Sequence, residues 1–309
     1  MLNPVQDDWL AAEGWQAAGD DPQWSDSFYF GGGDAVRRTA FYTRIGRRPN
    51  EGTVDAAIGI WLADGRFALA FTRAEAGPAD GPVAGGGLAF DPLLPGLVWR
   101  LRVAADARVY TRAEDLGVPG APFERLPLGG ELTFTGWTPP LHFDSGLTAQ
   151  VAARHYEQPG SLAGVLTVGD TRLPLAGAGM RDHSWGVRDW QGVPYWRWLG
   201  MLVDPDTFVL LNTVGTADGG ETAGGYLMQD GVLAPLVRAR VDGDQLGFTA
   251  VATDDRGRGV TLTGGAIAVA PLRQRRDGRL TLVNEGLTEL QWGTRSGLAI
   301  SEWLVQTDA

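Results

Sequence analysis

Gly59-Ile60-Trp61-Leu62-Ala63-Asp64-Gly65 is a β-prone run that closes on a turn dipeptide, and a counterpart, Gly225-Tyr226-Leu227-Met228-Gln229-Asp230-Gly231, stands 166 residues further on. Asp-Gly after an apolar run is a strong hairpin signal, because both residues tolerate left-handed backbone. The same offset relates Trp24 to Trp190, Tyr29 to Tyr195 and Trp137 to Trp303. A constant offset of this reach points to two copies of one β unit, the second beginning near residue 185 and residues 141–184 joining them.

Outward from these runs the chain keeps one pattern. Apolar and β-branched runs are cut by Gly, Pro or Asp-Gly, as at 53–63, 66–72, 97–104, 130–135, 160–168, 196–203, 208–214, 224–228, 246–252, 261–269 and 298–305. Short strands with regular turn signals indicate an all-β sandwich or barrel. Only residues 6–18 offer a helix, through Trp9, Leu10 and Trp15, and Gly14 weakens it.

Composition narrows the chemistry. Of 309 residues 45 are Gly and none is Cys, and every one of the 26 basic residues is Arg. Thiol nucleophiles, disulfides, thiolate metal sites, Schiff-base lysines and the P-loop lysine are therefore excluded. The three His, at 142, 155 and 183, form no H-E-x-x-H pair, so no metal site is expected. The acidic pairs at 20–21, 204–206 and 254–255 read as loop carboxylates. A net charge of −11 argues against nucleic acid as partner. The nearest thing to a basic stripe, Arg273, Arg275 and Arg276, reads as a solvated turn. No apolar run approaches the ~18 residues of a membrane helix. Asp7 and Asp8 replace the basic start of a signal peptide, so a cytoplasmic location is expected.

The densest patch of functional groups is Gly179-Met180-Arg181-Asp182-His183-Ser184-Trp185-Gly186-Val187-Arg188-Asp189-Trp190. On a strand, period two puts Arg181, His183 and Trp185 on one face and Asp182 and Ser184 on the other. Arg181 beside His183 favours a neutral imidazole and hence a base; a carboxylate partner favours an imidazolium and hence an acid. Asp182-His183-Ser184-Trp185-Gly186 imitates a nucleophile elbow, but the first Gly and the strand-to-helix context are missing. On a strand His155 and Glu157 share a face and read either as a second acid/base pair or as solvated side chains of a half-exposed strand. Trp24–Phe30 reads as the strand that enters the first unit.

Read from Gly177 to Trp190, Gly-x-Gly-x-Arg-Asp-His-Ser-Trp-Gly-x-Arg-Asp-Trp resembles the signature of the carotenoid 1,2-hydratase (hydroxyneurosporene synthase) and AttH-like superfamily. Trp24–Phe30 and the run His155-Tyr156-Glu157-Gln158-Pro159-Gly160 resemble its less characterised bacterial branch. The resemblance implies two consecutive lipocalin-like antiparallel β-barrels, here divided as residues 1–170 and 171–309. It also implies an apolar, terpenoid- or polyene-sized ligand and chemistry without an organic cofactor. Relatives hydrate an isolated double bond or catalyse cyclisations, and in the hydratases a His-x-Trp pair, matching His183 and Trp185, belongs to the active site. Two positions depart from the hydratase pattern. Trp196-Arg197-Trp198 replaces aromatic-Asp-aromatic, and the following strand carries Asn212 where an acidic residue is expected.

The expected function is cofactor-free acid/base catalysis, as hydratase, isomerase or cyclase, on an apolar small molecule. Its catalytic candidates are His183, Asp182 and Arg181; its binding candidates are Trp185, Trp196, Trp198, Tyr29, Asn212, His155 and Glu157. The alternative is a lipocalin-like carrier that binds an apolar ligand without changing it.

Overall fold

A computed structural model describes residues 13–78, 80–142, 154–189, 191–276 and 278–308. Trp190 and the first half of the expected helix, with Trp9 and Leu10, lie outside the described residues. Residues 13–18 are irregular rather than helical. Their polar groups are spent on tertiary bonds: the Glu13 carboxylate accepts from Arg181 and from the Gly96 amide, and Trp15 packs edge-on against Phe28.

The chain is built from antiparallel strands. The first sheet contains β1 (Trp24–Asp34), β2 (Thr39–Arg48), β3 (Thr53–Trp61), β4 (Phe67–Glu75), β5 (Val83–Gly85) and β6 (Leu88–Leu94). It continues with β7 (Val98–Tyr110), β8 (Glu124–Gly136), β9 (Leu141–His142), β10 (Arg154–Val168) and β11 (Thr171–Val187). The order β4-β3-β2-β1-β11-β10-β8-β7 closes on itself, because Phe67, Ala68 and Leu69 pair with Tyr110, Val109 and Arg108. The second sheet is a closed barrel of β12 (Tyr195–Asp204), β13 (Thr207–Gly215), β14 (Glu221–Gln229) and β15 (Val232–Gly243), followed by β16 (Gly247–Asp254), β17 (Gly259–Arg276), β18 (Arg279–Trp292) and β19 (Arg295–Asp308). Two lipocalin-like barrels therefore stand in sequence. Among the described residues no helix is long and apolar enough to cross a membrane.

The duplicated run marks the third-to-fourth strand connection of each barrel. Asp230 and Gly231, with φ of 54° and 72°, form the two-residue turn from β14 to β15, the left-handed pair a tight hairpin requires. At the first copy the link between β3 and β4 is longer, and only Gly65 has positive φ. The offset fails at Trp137 and Trp303. Trp137 follows β8 outside any strand, whereas Trp303 lies in the last strand, because β5, β6 and β9 are additions to the first barrel. Strand β11, which a division at 170/171 puts in the second unit, pairs with β1 and β10 inside the first sheet. The second barrel starts only at Tyr195, later than residue 185.

Alternation decides what each face meets. Phe28 and Phe30 of β1 join Trp99, Phe134 and Leu162 inside the first barrel, while Tyr29 points outward. Leu199, Met201, Val209, Leu211 and Trp303 fill the second barrel. A third apolar cluster joins the two outer surfaces, with Tyr29, Tyr42, Trp61 and Met180 packed against Trp198, Phe208, Leu210 and Ile300.

Candidate active site between the barrels

Two cross-strand carboxyl pairs face each other across this seam. On the first barrel β10 and β11 set Glu157 opposite Asp182. On the second, β18 and β19 set Glu285 opposite Glu302, and β12 lays Trp198 between Glu302 and Asn212. Side-chain bonds tie the surfaces together. Trp198 Nε1 and Asn212 Nδ2 both donate to Glu157 Oε1, at 2.7 and 2.8 Å. The Tyr29 hydroxyl reaches Glu285 Oε2 across the seam at 3.5 Å, and within the second barrel Trp196 Nε1 donates to Glu302 Oε1 at 2.5 Å. Glu157 is completely buried, and its Oε2 has no partner among the described residues.

Burial dominates the electrostatics. It pushes Glu157 up to about 8, against the opposing pull of the Asn212 and Trp198 bonds, and Asp182 up to about 7, against Arg188. Glu285 is held well above the carboxylate range by burial and by the charge of Glu302, and burial raises Glu302 as well. The two hydrogen-bond each other and titrate as a pair. Four carboxyl groups thus share the seam with Arg44 and Arg188, too few cations to let all four ionise. Burial also lowers His155, whose Nε2 lies 3.7 Å from Glu157 Oε1, to about 3, so its imidazole is neutral.

A cavity of about 650 Å³ opens beside the Glu285–Glu302 pair. Tyr29, Tyr42 and Arg44 line it from the first barrel, and Pro271, Leu272 and Val283 from the second. Room for the Tyr42 ring comes from Gly59, whose missing side chain would occupy the ring's place.

The central motif divides between two environments, as period two requires. Arg181, His183 and Trp185 face the interior of the first barrel. His183 Nε2 is bonded to Asp26 Oδ1 at 2.7 Å and Nδ1 to the Tyr156 hydroxyl at 3.3 Å, with the ring stacked on Phe28 and tilted against Trp185. Arg181 bonds Glu13, Gln158 and Tyr156, all buried. Neither side chain, nor Trp185, lines the seam cavity. Of the expected site residues Tyr29 lines it; Asp182, Glu157, Trp196, Trp198, Asn212 and His155 gather at the seam alongside. Sequence reasoning missed Glu285, Glu302, Tyr42 and Arg44. Glu302 alone left a signal, a single acid within the apolar strand Ala299-Ile300-Ser301-Glu302-Trp303-Leu304. The acid missing from the strand of Asn212 is present after all, brought to that amide from β10 as Glu157. Arg273 and Arg275 are not in a turn; they stand on β17 at the cavity wall. Among the described residues no three His, Asp or Glu side chains are arranged to hold a metal ion.

The described chain is thus two closed barrels in sequence, joined along a seam that carries four carboxyls. The chain belongs to the family described as a domain of unknown function, DUF7064, which it matches over residues 10–307. An AttH-like protein from Nitrosomonas europaea superposes with a TM-score of 0.62 at 13% identity, covering 98% of each chain. Kievitone hydratase from Nectria haematococca gives 0.61 at 10% identity, covering 92% of this chain and 89% of that one. CghA, solved with Sch210972, gives 0.55 at 16% identity, covering 93% and 89%. At these identities the likeness establishes the fold. No curated protein matches the sequence.

Proposed function

We propose that this chain is an acid/base catalyst, a hydro-lyase or an isomerase or cyclase, for an apolar polyene- or terpenoid-like molecule held between the barrels. The observation that carries the reading is the Glu285–Glu302 pair, two buried carboxyls opposed across one ladder at the wall of a cavity. A pair that holds a proton presents an acid and a base at one place. Glu285, the more strongly raised member, gives its proton to the double bond, leaving a carbocation on the substrate. An aromatic face stabilises such a cation by about 2 kcal/mol when water is excluded, and the rings of Tyr29 and Tyr42 line the cavity beside the pair. For hydration, water adds to the cation and gives its proton to the carboxylate, restoring the pair. Loss of a neighbouring proton to the same carboxylate gives an isomer, and attack by a second double bond closes a ring and leaves a new cation, which loses a proton to that carboxylate. Asp182 and Glu157 act behind the pair; the charge of Asp182 helps to keep Glu285 protonated. His183 and Arg181 hold the wall of the first barrel. The kievitone hydratase likeness supports this reading at the level of fold, and the tight His183–Asp26 bond supports the structural role of the motif.

The test is to incubate polyenes with the protein and follow isomers or the mass gain of one water. Glu285→Gln is expected to slow turnover by about 10²-fold or more. Turnover that survives Glu285→Gln but disappears in folded His183→Asn would return the centre to the interior of the first barrel. Ligand recovered intact from wild-type protein would leave a carrier.

A further inference from the structure

The seam cavity carries a charge pattern at odds with the rest of the molecule. In a chain of net charge −11, its wall holds Arg44, Arg48, Arg73, Arg108, Arg273 and Arg275 against three acids, Asp55, Glu285 and Glu302. Arg48 and Arg73 are both committed to Asp55, at 2.9 and 2.6 Å. The Arg108 guanidinium lies over the Phe123 ring, 5.2 Å from its centre. Arg273 and Arg275 are exposed, share one face of β17, and have no carboxylate partner among the described residues. A second, independent sign of an absent ligand is the Tyr42 hydroxyl. Its residue is only 2% exposed and lines the cavity, yet the oxygen has no hydrogen-bond partner among the described residues. A buried hydroxyl left unpaired costs about 1–3 kcal/mol, which a ligand group can recover.

We propose that the cavity takes an amphipathic organic anion, an apolar body ending in a carboxylate, with the carboxylate on Arg273 and Arg275 and the body against Leu69, Phe71 and Leu116. The guanidinium forks match a carboxylate in shape and charge. The negative field of the whole chain disfavours a more highly charged head such as a phosphate. With its head at β17, the body runs toward Tyr42 and the Glu285–Glu302 pair. The proposal rests on reading this cavity as the substrate site, and it adds the head group that sets orientation.

The test uses cis-parinaric acid and its methyl ester, one fluorescent polyene with and without the charge. Fluorescence titration is expected to show the acid binding about tenfold or more tightly at low ionic strength. That preference should collapse near 1 M salt, where screening reaches about 3 Å. It should also collapse in the Arg273→Gln/Arg275→Gln variant, while ester affinity stays unchanged. Equal affinities, or a preference that survives the double substitution, overturn the anion assignment and leave the cavity a ligand site. Binding of neither probe removes the cavity itself, and the proposed function with it.

Discussion

Glu157 and Arg181 are two ways of burying an ionisable group, and they respond to substitution in opposite senses. Arg181 is sealed in the first barrel with the Glu13 carboxylate at 2.6 Å. Arg181→Met leaves that carboxylate buried and unpaired, and is expected to cost about 3–5 kcal/mol in urea unfolding. The Glu13→Gln/Arg181→Met double variant should recover a good part of it; a single-variant loss under about 1 kcal/mol, the range of a surface pair, would show that the network is not what seals the barrel. Glu157 instead keeps its proton. A carboxyl with a folded-state pKa above its unfolded value binds the proton more tightly when folded, so stability falls as pH rises between the two values. For Glu157 that window runs from its ordinary 4.5 to about 8, and the contribution is fully present only below it. Each pH unit inside the window is worth about 1.4 kcal/mol. Glu157→Gln keeps an oxygen to accept from Trp198 and Asn212 and carries no charge. Its melting temperature is expected to exceed wild type at pH 8 and to match it near pH 4.5. A wild-type melting curve flat across this range would contradict the buried proton.

At the scale of the strand, spacing was readable and partnership was not. The turn at Asp230-Gly231 and the two faces of Arg181–Trp185 follow from local rules, backbone handedness and period two, and both are as the sequence indicates. The resemblance carried by Gly177–Trp190 supplied the barrel type. The site was legible only in part, because its carboxyls come from β10, β11, β18 and β19, strands that meet through closure of two barrels, which no local pattern encodes. Asn212 illustrates the gap: its own strand carries no acid, and only the docking of the barrels supplies Glu157. Arg273 and Arg275 were misplaced because charged residues beside Asp277-Gly278 look the same in a turn and at the end of a long strand. Strand β3 shows how one backbone position shapes the cavity. Ala at position 59 would drive its methyl into the rings of Tyr42 and Phe67. Overpacking of this kind costs about 1–3 kcal/mol, and displacing Tyr42 also narrows the cavity. Gly59→Ala should therefore lower both the melting temperature and cis-parinarate affinity. A fall in the first without the second would detach Tyr42 from ligand binding.

Across the whole molecule, the seam is a joint whose strength depends on protons. Glu157 and Asp182 come from one barrel and Glu285 and Glu302 from the other, and Arg44 and Arg188 offset only part of their charge. Glu157 accepts from Trp198 and Asn212 across the joint, and these two bonds favour its ionised form, but burial outweighs them and keeps the proton on. Above the pKa of Glu157 a new negative charge is fixed in a space that water does not reach, facing carboxyls of the opposite barrel. Repulsion across a desolvated seam is felt far more strongly than at a surface, and opening the joint is the way to rehydrate the charge. Each barrel has its own closed ladder and apolar interior, so separation need not unfold either. Calorimetry is expected to record one unfolding transition at pH 6 and two at pH 9, the lower transition belonging to the less stable barrel. In Glu157→Gln/Glu285→Gln the single transition should persist to pH 9. One transition in wild type at both pH values would mean that packing at the seam, rather than its protonation, couples the barrels.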